Sequence, residues 1–192
     1  FKQAIVLAKK LNFTAGLERS YAAHATAFIL HGKYDSSLAY VDTAIIYANK
    51  VGDVSRQALV YLNRADVYVN LQRFKDALKS CDTAMVYAER SGNKDRLARI
   101  FDIMCGIYTQ QNQFPQALEF LDKATSLYRE LDNRQMLALS FMSKAIILKN
   151  TNQAEKGIPL LREAIQMAEE IGDVQNLSAY NSELAEIYAS KK

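Results

Sequence analysis

The residues best suited to chemistry are few, and their spacing does not support a catalytic or metal site. His24 and His31 lie seven residues apart on one predicted helix face, but the nearest carboxylate in the sequence, Asp35, lies across a predicted turn. Neither histidine has the serine or cysteine neighbour of a nucleophile–base pair. Glu169 and Glu170 are adjacent, so they point to different helix faces and cannot act as a paired acid and base. The sequence therefore predicts no enzyme, no cofactor and no metal site.

Two cysteines, Cys81 and Cys105, fall at apolar positions of the pattern described below. A free cysteine behaves as a small buried apolar residue, and no CxxC pair suggests metal or redox chemistry. Buried thiols are expected, and a disulfide between the two is an alternative that the sequence leaves open.

Composition and charge indicate an ordinary globular chain. Of the 192 residues, 49% are hydrophobic and 23% are charged, and no apolar stretch approaches a membrane span. The formal net charge of +3 is not arranged as a basic stripe. The one basic concentration is interpreted as a solvated helix face rather than a nucleic-acid surface: it consists of Arg56, Arg64, Arg73, Lys75 and Lys79.

The strongest pattern is a repeat of 40 residues that occurs four times without insertion or deletion. The blocks span residues 14–53, 54–93, 94–133 and 134–173. Each block ends in a related dipeptide: Gly52-Asp53, Gly92-Asn93, Asp132-Asn133 and Gly172-Asp173. A fixed period in this range predicts a solenoid of stacked units. Residues 1–13 and 174–192 align with the second and first halves of a unit, which we interpret as a fragment of a longer protein.

Within each block, numbered here from position 1 to position 40, spacings of three, four and seven define two helices. Positions 4, 5, 8, 12 and 15 mark helix A, and positions 24, 28, 31 and 35 mark helix B. Small residues recur at positions 12, 24 and 31, which predicts an antiparallel pair with closely spaced backbones. The predicted fold is all-α, a right-handed α-α superhelix of about four and a half helical hairpins, forming a single domain over residues 1–192.

The ends of the helices also carry signals. Glycine at position 39 fits a left-handed helix end, and Asp or Asn at position 40 fits an N-cap. Pro115 falls where the third helix B should begin, a place that tolerates proline. Pro159 lies about one turn into the fourth helix B, where it predicts a frayed or late-starting helix.

These positions resemble the tetratricopeptide repeat. Tyr61, Ala65, Tyr68, Ala77 and Ala84 of the second block match that family's aromatic, small, Tyr, Ala and Ala positions. The unit here has 40 residues rather than about 34, and it lacks the usual proline after helix B. The long unit with its terminal Gly-Asp is similar to repeats of bacterial regulatory proteins, where they precede a histidine kinase or a DNA-binding domain, and also to eukaryotic adaptor repeats.

The resemblance implies that helix A lines a concave groove, with binding residues at positions 6, 9, 10, 13, 16 and 17. The apolar members of this set are expected to form an exposed strip, with packing beneath neighbouring residues as the alternative. Of the carboxylate clamp that some relatives use, only Asn63 and Arg99 remain, which argues against chaperone-tail binding. The candidate partner-binding residues are Leu59, Leu62, Asn63, Asp66, Arg99, Asp102, Ile103, Leu139, Met142 and Ile146.

The function that the resemblance implies is a non-catalytic interaction or sensory module of a larger signal-transduction protein. Its partner is expected to be a peptide or helix, either from another protein or from its own output domain. The alternative is a homodimerisation scaffold of a sensor histidine kinase or DNA-binding regulator, and direct nucleic-acid binding ranks third. No small-molecule substrate and no membrane insertion are expected. The sequence leaves the partner and the compartment, cytoplasmic or periplasmic, undetermined.

Overall fold

Ten helices make up almost all of the chain that the structure describes. The computed structural model describes residues 2–189; Phe1 and residues 190–192, the outer ends of the two predicted half-repeats, lie outside it. No strand occurs between residues 2 and 189, so the predicted all-α fold of helical hairpins is confirmed. The helices are α1 (Lys2–Lys10), α2 (Thr14–Leu30), α3 (Tyr34–Val51), α4 (Val54–Asn70), α5 (Phe74–Arg90), α6 (Lys94–Gln110), α7 (Phe114–Glu130), α8 (Arg134–Asn150), α9 (Ala154–Ile171) and α10 (Val174–Ala189).

The chain divides into two compact units, Phe1–Ile103 and Met104–Lys192, which we call unit 1 and unit 2. In unit 1, α2 pairs with α3 and α4 pairs with α5, while α4 also contacts α2 and α3. In unit 2, α8 pairs with α9, and α10 contacts both of them. The first, second and fourth predicted blocks therefore each supply one helical hairpin, and a single domain over the whole chain stays a prediction.

The two helices of a hairpin meet through small side chains at positions 12 and 24. In unit 1, Ser37 Oγ on α3 donates a hydrogen bond to the Ala25 carbonyl on α2 at 2.9 Å, and both residues are buried. In unit 2, a Cβ added to Gly157 on α9 would lie only 3.0 Å from the Ala145 Cβ and 3.1 Å from its Cα. The backbones of α8 and α9 therefore nearly touch, as the recurring small residues predict.

The predicted signals at the block ends are all present. Position 39 has a left-handed backbone with φ between 50° and 75° in each block: Gly52, Gly92, Asp132 and Gly172. The side chain at position 40 accepts a hydrogen bond from the backbone N–H three residues later, as Asp53 does from Arg56 at 3.1 Å. The same cap occurs at Asn93, Asn133 and Asp173.

The prediction for the fourth helix B is wrong. Helix α9 begins at Ala154, in register with the other B helices, and continues through Pro159 to Ile171 without a break. Pro159 lies on the exposed side of α9, so its ring does not disturb a packed neighbour. The helix still lacks the one hydrogen bond that the missing N–H of Pro159 cannot donate. Pro115 lies in the first turn of α7, as predicted.

Gly157→Ala is expected to destabilise the protein by about 1–3 kcal/mol, because its methyl group would press on the Ala145 backbone. Gly106→Ala is the matched control, since Gly106 also lies within a helix but no described atom comes within 4 Å of an added Cβ. That control should stabilise by about 0.5–1 kcal/mol, because alanine favours the helix. Urea denaturation of both variants measures the difference, and stabilisation by both would contradict the close contact.

Candidate functional site

Two arginines of unit 1 tie the A helices of neighbouring hairpins together. Arg56 on α4 donates from Nε and Nη2 to the two carboxylate oxygens of Glu18 on α2, at 2.9 and 2.8 Å. Glu18 is only 2% exposed, so this is a bidentate ion pair with a buried carboxylate. Arg96 on α6 donates to the Ser55 carbonyl on α4 at 2.6 Å. These contacts hold the N-terminal turns of α2, α4 and α6 side by side.

The A helices of unit 1 share one partly exposed face, which we call the inner face. It comprises positions 6, 10 and 13 of α2 and α4 together with positions 6 and 10 of α6. Its residues are Arg19, Ala23, Thr26, Leu59, Asn63, Asp66, Arg99 and Ile103. Arg19, Thr26 and Arg99 are exposed, and the other five are half-buried. The face is therefore a mixed polar and apolar surface on three neighbouring helices.

Four polar side chains of the inner face are unpaired. Arg19, Asn63, Asp66 and Arg99 form no side-chain hydrogen bond and no ion pair with any residue in the described part of the chain. Half-buried amide and carboxylate groups usually have protein partners, because losing water without replacement costs free energy. These groups are therefore available to bind a molecule that lies on the face.

Asp66 is the inner-face group whose ionisation is most perturbed. Desolvation by burial raises its pKa to about 6, and the positive charge of Arg99 opposes that rise only in part. Beneath it, burial and then the charge of Asp66 raise the pKa of the Cys81 thiol to about 12. Cys81 is thus a protonated core thiol rather than a nucleophile. Cys81 and Cys105 are both buried thiols, and neither forms a disulfide within the described residues.

The structure buries part of the predicted exposed apolar strip. Leu62 is fully buried at 0% exposure, and Ala22, at the same position of α2, is also buried. Position 9 lies between the buried stripe and the inner face, so the packing of neighbouring helices covers it. Met142 packs against the core cluster around Ala145 in unit 2. The remaining apolar candidates are half-buried: Leu59, Ile103, Leu139 and Ile146.

The predicted binding residues belong to two groups. Unit 1 holds Leu59, Leu62, Asn63, Asp66, Arg99, Asp102 and Ile103, and unit 2 holds Leu139, Met142 and Ile146. On α8 of unit 2, the Lys149 ammonium pairs with Glu183 at 2.5 Å and with Glu186 at 2.9 Å on α10. The polar groups beside the unit 2 candidates are therefore partly satisfied within the fold. Contact of either group with a partner stays a prediction.

Sequence reasoning missed the buried Glu18–Arg56 pair, although the repeat contains a signal for it. Glu18 stands at position 5, where the other blocks have Ala58, Ala98 and Ala138, all buried. A carboxylate at a buried position requires a charged partner. Arg19 was placed at an inner position by the repeat, but its lack of a partner is visible only in the structure.

The basic concentration around the second block is largely engaged within unit 1. Arg56 is held in the buried ion pair, Arg64 lies 4.7 Å from the centre of the Tyr61 ring, and Arg73 pairs with Asp76 at 2.7 Å. This agrees with its interpretation as an ordinary helix surface. Among residues 2–189, no three His, Cys, Asp or Glu side chains are grouped to hold a metal ion. Within the same range, no helix has the length and apolar character needed to span a bilayer.

With the hairpins and the inner face established, comparison with known proteins identifies the repeat. A tetratricopeptide repeat family model matches residues 56–130. Over residues 56–130 the chain therefore matches the tetratricopeptide repeat. The resemblance expected from Tyr61, Ala65, Tyr68, Ala77 and Ala84 is thereby confirmed. A comparison with curated protein sequences finds no match.

Solved structures share this fold at low sequence identity. BtubC (BKLC) from P. vanneervenii superimposes with a TM-score of 0.85 and 15% identity, covering 99% of this chain and 81% of that protein. A STAND signal-transduction ATPase with a tetratricopeptide repeat sensor from Pyrococcus horikoshii gives 0.81 and 19%, covering 99% and 30%. Aspartyl phosphate phosphatase F from Bacillus subtilis gives 0.80 and 15%, covering 85% and 43%. The chain thus spans less than half of the last two proteins.

Asp66→Asn is expected to stabilise the protein at pH 7.5 by about 1–3 kcal/mol and to have little effect at pH 4. Because burial raises the pKa of Asp66 from 3.8 to about 6, the folded state holds the proton more tightly than the unfolded state. Ionisation therefore costs stability progressively as the pH rises from about 4 through 6. Urea denaturation at pH 4, 5, 6 and 7.5 measures this dependence.

The control for that experiment is Asp82→Asn on α5, which removes an equal charge at an exposed position. It should change stability by less than about 0.5 kcal/mol at every pH. A stability gain of Asp66→Asn that is constant from pH 4 to 7.5 would show that its carboxylate is not desolvated.

Proposed function

We propose that this protein is a non-catalytic interaction module that binds a peptide or helix on the inner face of unit 1. The observation that carries the proposal is the set of unpaired polar groups, Arg19, Asn63, Asp66 and Arg99, beside half-buried Leu59 and Ile103. Donors, acceptors and apolar surface on rigid, adjacent helices are what a bound polypeptide segment needs.

We further propose that the module serves a larger regulatory protein. Its fold is shared with a STAND protein that carries a tetratricopeptide repeat sensor, and with a phosphatase of aspartyl phosphate. We expect the repeats of such a regulator to sense a partner or to hold the regulator's own output domain. The inner face suits either ligand, because both present a polypeptide segment.

Self-association is a second candidate function. Two apolar side chains of α1 are strongly exposed, Val6 at 53% and Leu7 at 57%, and so is Leu11 directly after it, at 66%. A cluster of this kind favours contact with another protein surface. Sedimentation equilibrium should then show a dimer that becomes monomeric in the Leu7→Lys/Leu11→Lys variant, and a monomer at all concentrations contradicts this candidate.

The proposal that the inner face binds a peptide is tested by panning a library of random peptides of about 12 residues on the chain. At about 3.3 Å per residue, such a peptide is long enough to cross three neighbouring helices. Enriched peptides should bind about tenfold more weakly to Asn63→Trp, because the bulky ring covers the inner face. Val86→Trp on α5 is the matched control, since Val86 is 52% exposed on a B helix, and it should bind like wild type.

Fluorescence anisotropy of the labelled peptides measures both affinities, and circular dichroism melting confirms that both variants fold. Weaker binding by Val86→Trp with unchanged binding by Asn63→Trp would move the site to the B helices. Failure of wild type to enrich any peptide would contradict peptide binding altogether.

A further inference from the structure

In one row of the inner face, an apolar side chain lies between two exposed arginines. At position 6, the residues on α2, α4 and α6 are Arg19, Leu59 and Arg99. Both arginines are exposed, and neither forms a hydrogen bond or an ion pair within the described residues. Leu59 between them is half-buried. Across the three helices the row therefore presents a positive charge, then an apolar surface, then a second positive charge.

Hydrogen bonds between the N-terminal turns of α2, α4 and α6 fix the order and spacing of this row. Arg56 joins α4 to Glu18, the residue beside Arg19, and Arg96 joins α6 to α4 one turn before Arg99. Packed helices have axes about 8–10 Å apart. A polypeptide in the polyproline II conformation advances about 3.1 Å per residue with three residues per turn, so every third side chain lies on the same face and about one helix spacing further along.

We propose that the inner face binds an acidic segment in the polyproline II conformation, of the pattern acidic–x–x–apolar–x–x–acidic. The two carboxylates meet the guanidinium groups of Arg19 and Arg99, and the central apolar side chain covers Leu59. This inference rests on the proposed function and specifies the chemistry of its ligand. Arginine suits the task because its planar guanidinium donates two parallel hydrogen bonds to one carboxylate.

The other charges of the inner face favour a peptide over a nucleic acid. Asp66 lies two helical turns beyond Leu59 on α4, about 10 Å along the helix axis. Because its pKa is about 6, its carboxylate is mostly ionised at neutral pH. A continuous polyphosphate chain along the face would meet this negative charge, whereas a peptide that places its acidic residues only on the position 6 row would meet it only near Arg99, whose own charge acts on Asp66.

The test compares three baits panned with the same random peptide library at pH 7.5 in low salt. The baits are wild type, Arg19→Glu/Arg99→Glu, and Lys75→Glu/Lys79→Glu. The third bait is the matched control, because it makes the same change in net charge with two exposed lysines on α5 of the same unit. Circular dichroism melting establishes that all three baits fold.

Peptides enriched on wild type should carry acidic residues on both sides of a large apolar residue. They should bind the lysine control with an affinity within about threefold of wild type and the arginine variant at least about tenfold more weakly. The arginine variant should itself select basic peptides. Affinity of the selected peptides should fall as salt is raised from about 50 to 500 mM, because the contacts are charged and exposed.

Other outcomes overturn the inference in distinguishable ways. Enriched peptides that have no acidic bias, or that bind the arginine variant as well as wild type, refute it while leaving the proposed function intact. No enrichment on any bait contradicts both. A labelled 20-nucleotide poly-dT probe that binds wild type but not the arginine variant, in the absence of peptide enrichment, assigns the row to nucleic acid.

Discussion

The fold depends on the close approach of the two helices in each hairpin. Ser37 contacts the Ala25 backbone in unit 1, and Gly157 approaches Ala145 so closely that no side chain fits between them in unit 2. Larger residues at these points would separate the helices and shift the surrounding core, since close-packed interiors transmit small changes in volume. Because this contact sets the rotation of each A helix about its axis, it also decides which side chains become buried and which form the inner face.

A second set of contacts positions the A helices of unit 1 relative to one another. The Glu18 carboxylate is buried and accepts hydrogen bonds from Nε and Nη2 of Arg56, while Arg96 donates to the Ser55 carbonyl. A buried ion pair contributes little net stability, because desolvation offsets much of the attraction. It does restrict geometry, since a mismatched arrangement would leave a buried carboxylate unpaired. We infer that the ion pair and the Arg96 hydrogen bond mainly fix the register of α2 and α4. That register in turn sets the row of side chains on the inner face.

Much of the fold could be predicted from the sequence, because it follows from local chemistry. Apolar spacing defines the helices, Gly52 and Asp53 mark a boundary, and small residues such as Ala25 identify the contact between helices. Pro159 was misjudged because the local rule against proline ignores where its ring points, and here it points to solvent. Helix propensity and packing together overrode that single unfavourable residue.

The candidate site was less predictable, because exposure depends on contacts between helices that no repeat position specifies. Leu62 and Asp66 occupy neighbouring positions on a helical wheel, yet the first is fully buried and the second reaches the surface. The absence of partners for Asn63 and Arg99 within the described residues also depends on side chains distant in the sequence. Sequence periodicity selected the A helices, but the structure was needed to show which of their side chains are exposed and unpaired.

The central claim is that the inner face of unit 1 is the surface where a polypeptide ligand binds. Its most direct test is backbone amide chemical-shift mapping by NMR as the labelled chain is titrated with a peptide selected on wild type. The account predicts that the largest shifts cluster on α4 and on the adjoining parts of α2 and α6, around Leu59, Asn63 and Arg99. Shifts confined to the B helices α3 and α5, or to the exposed side of α1, would contradict it.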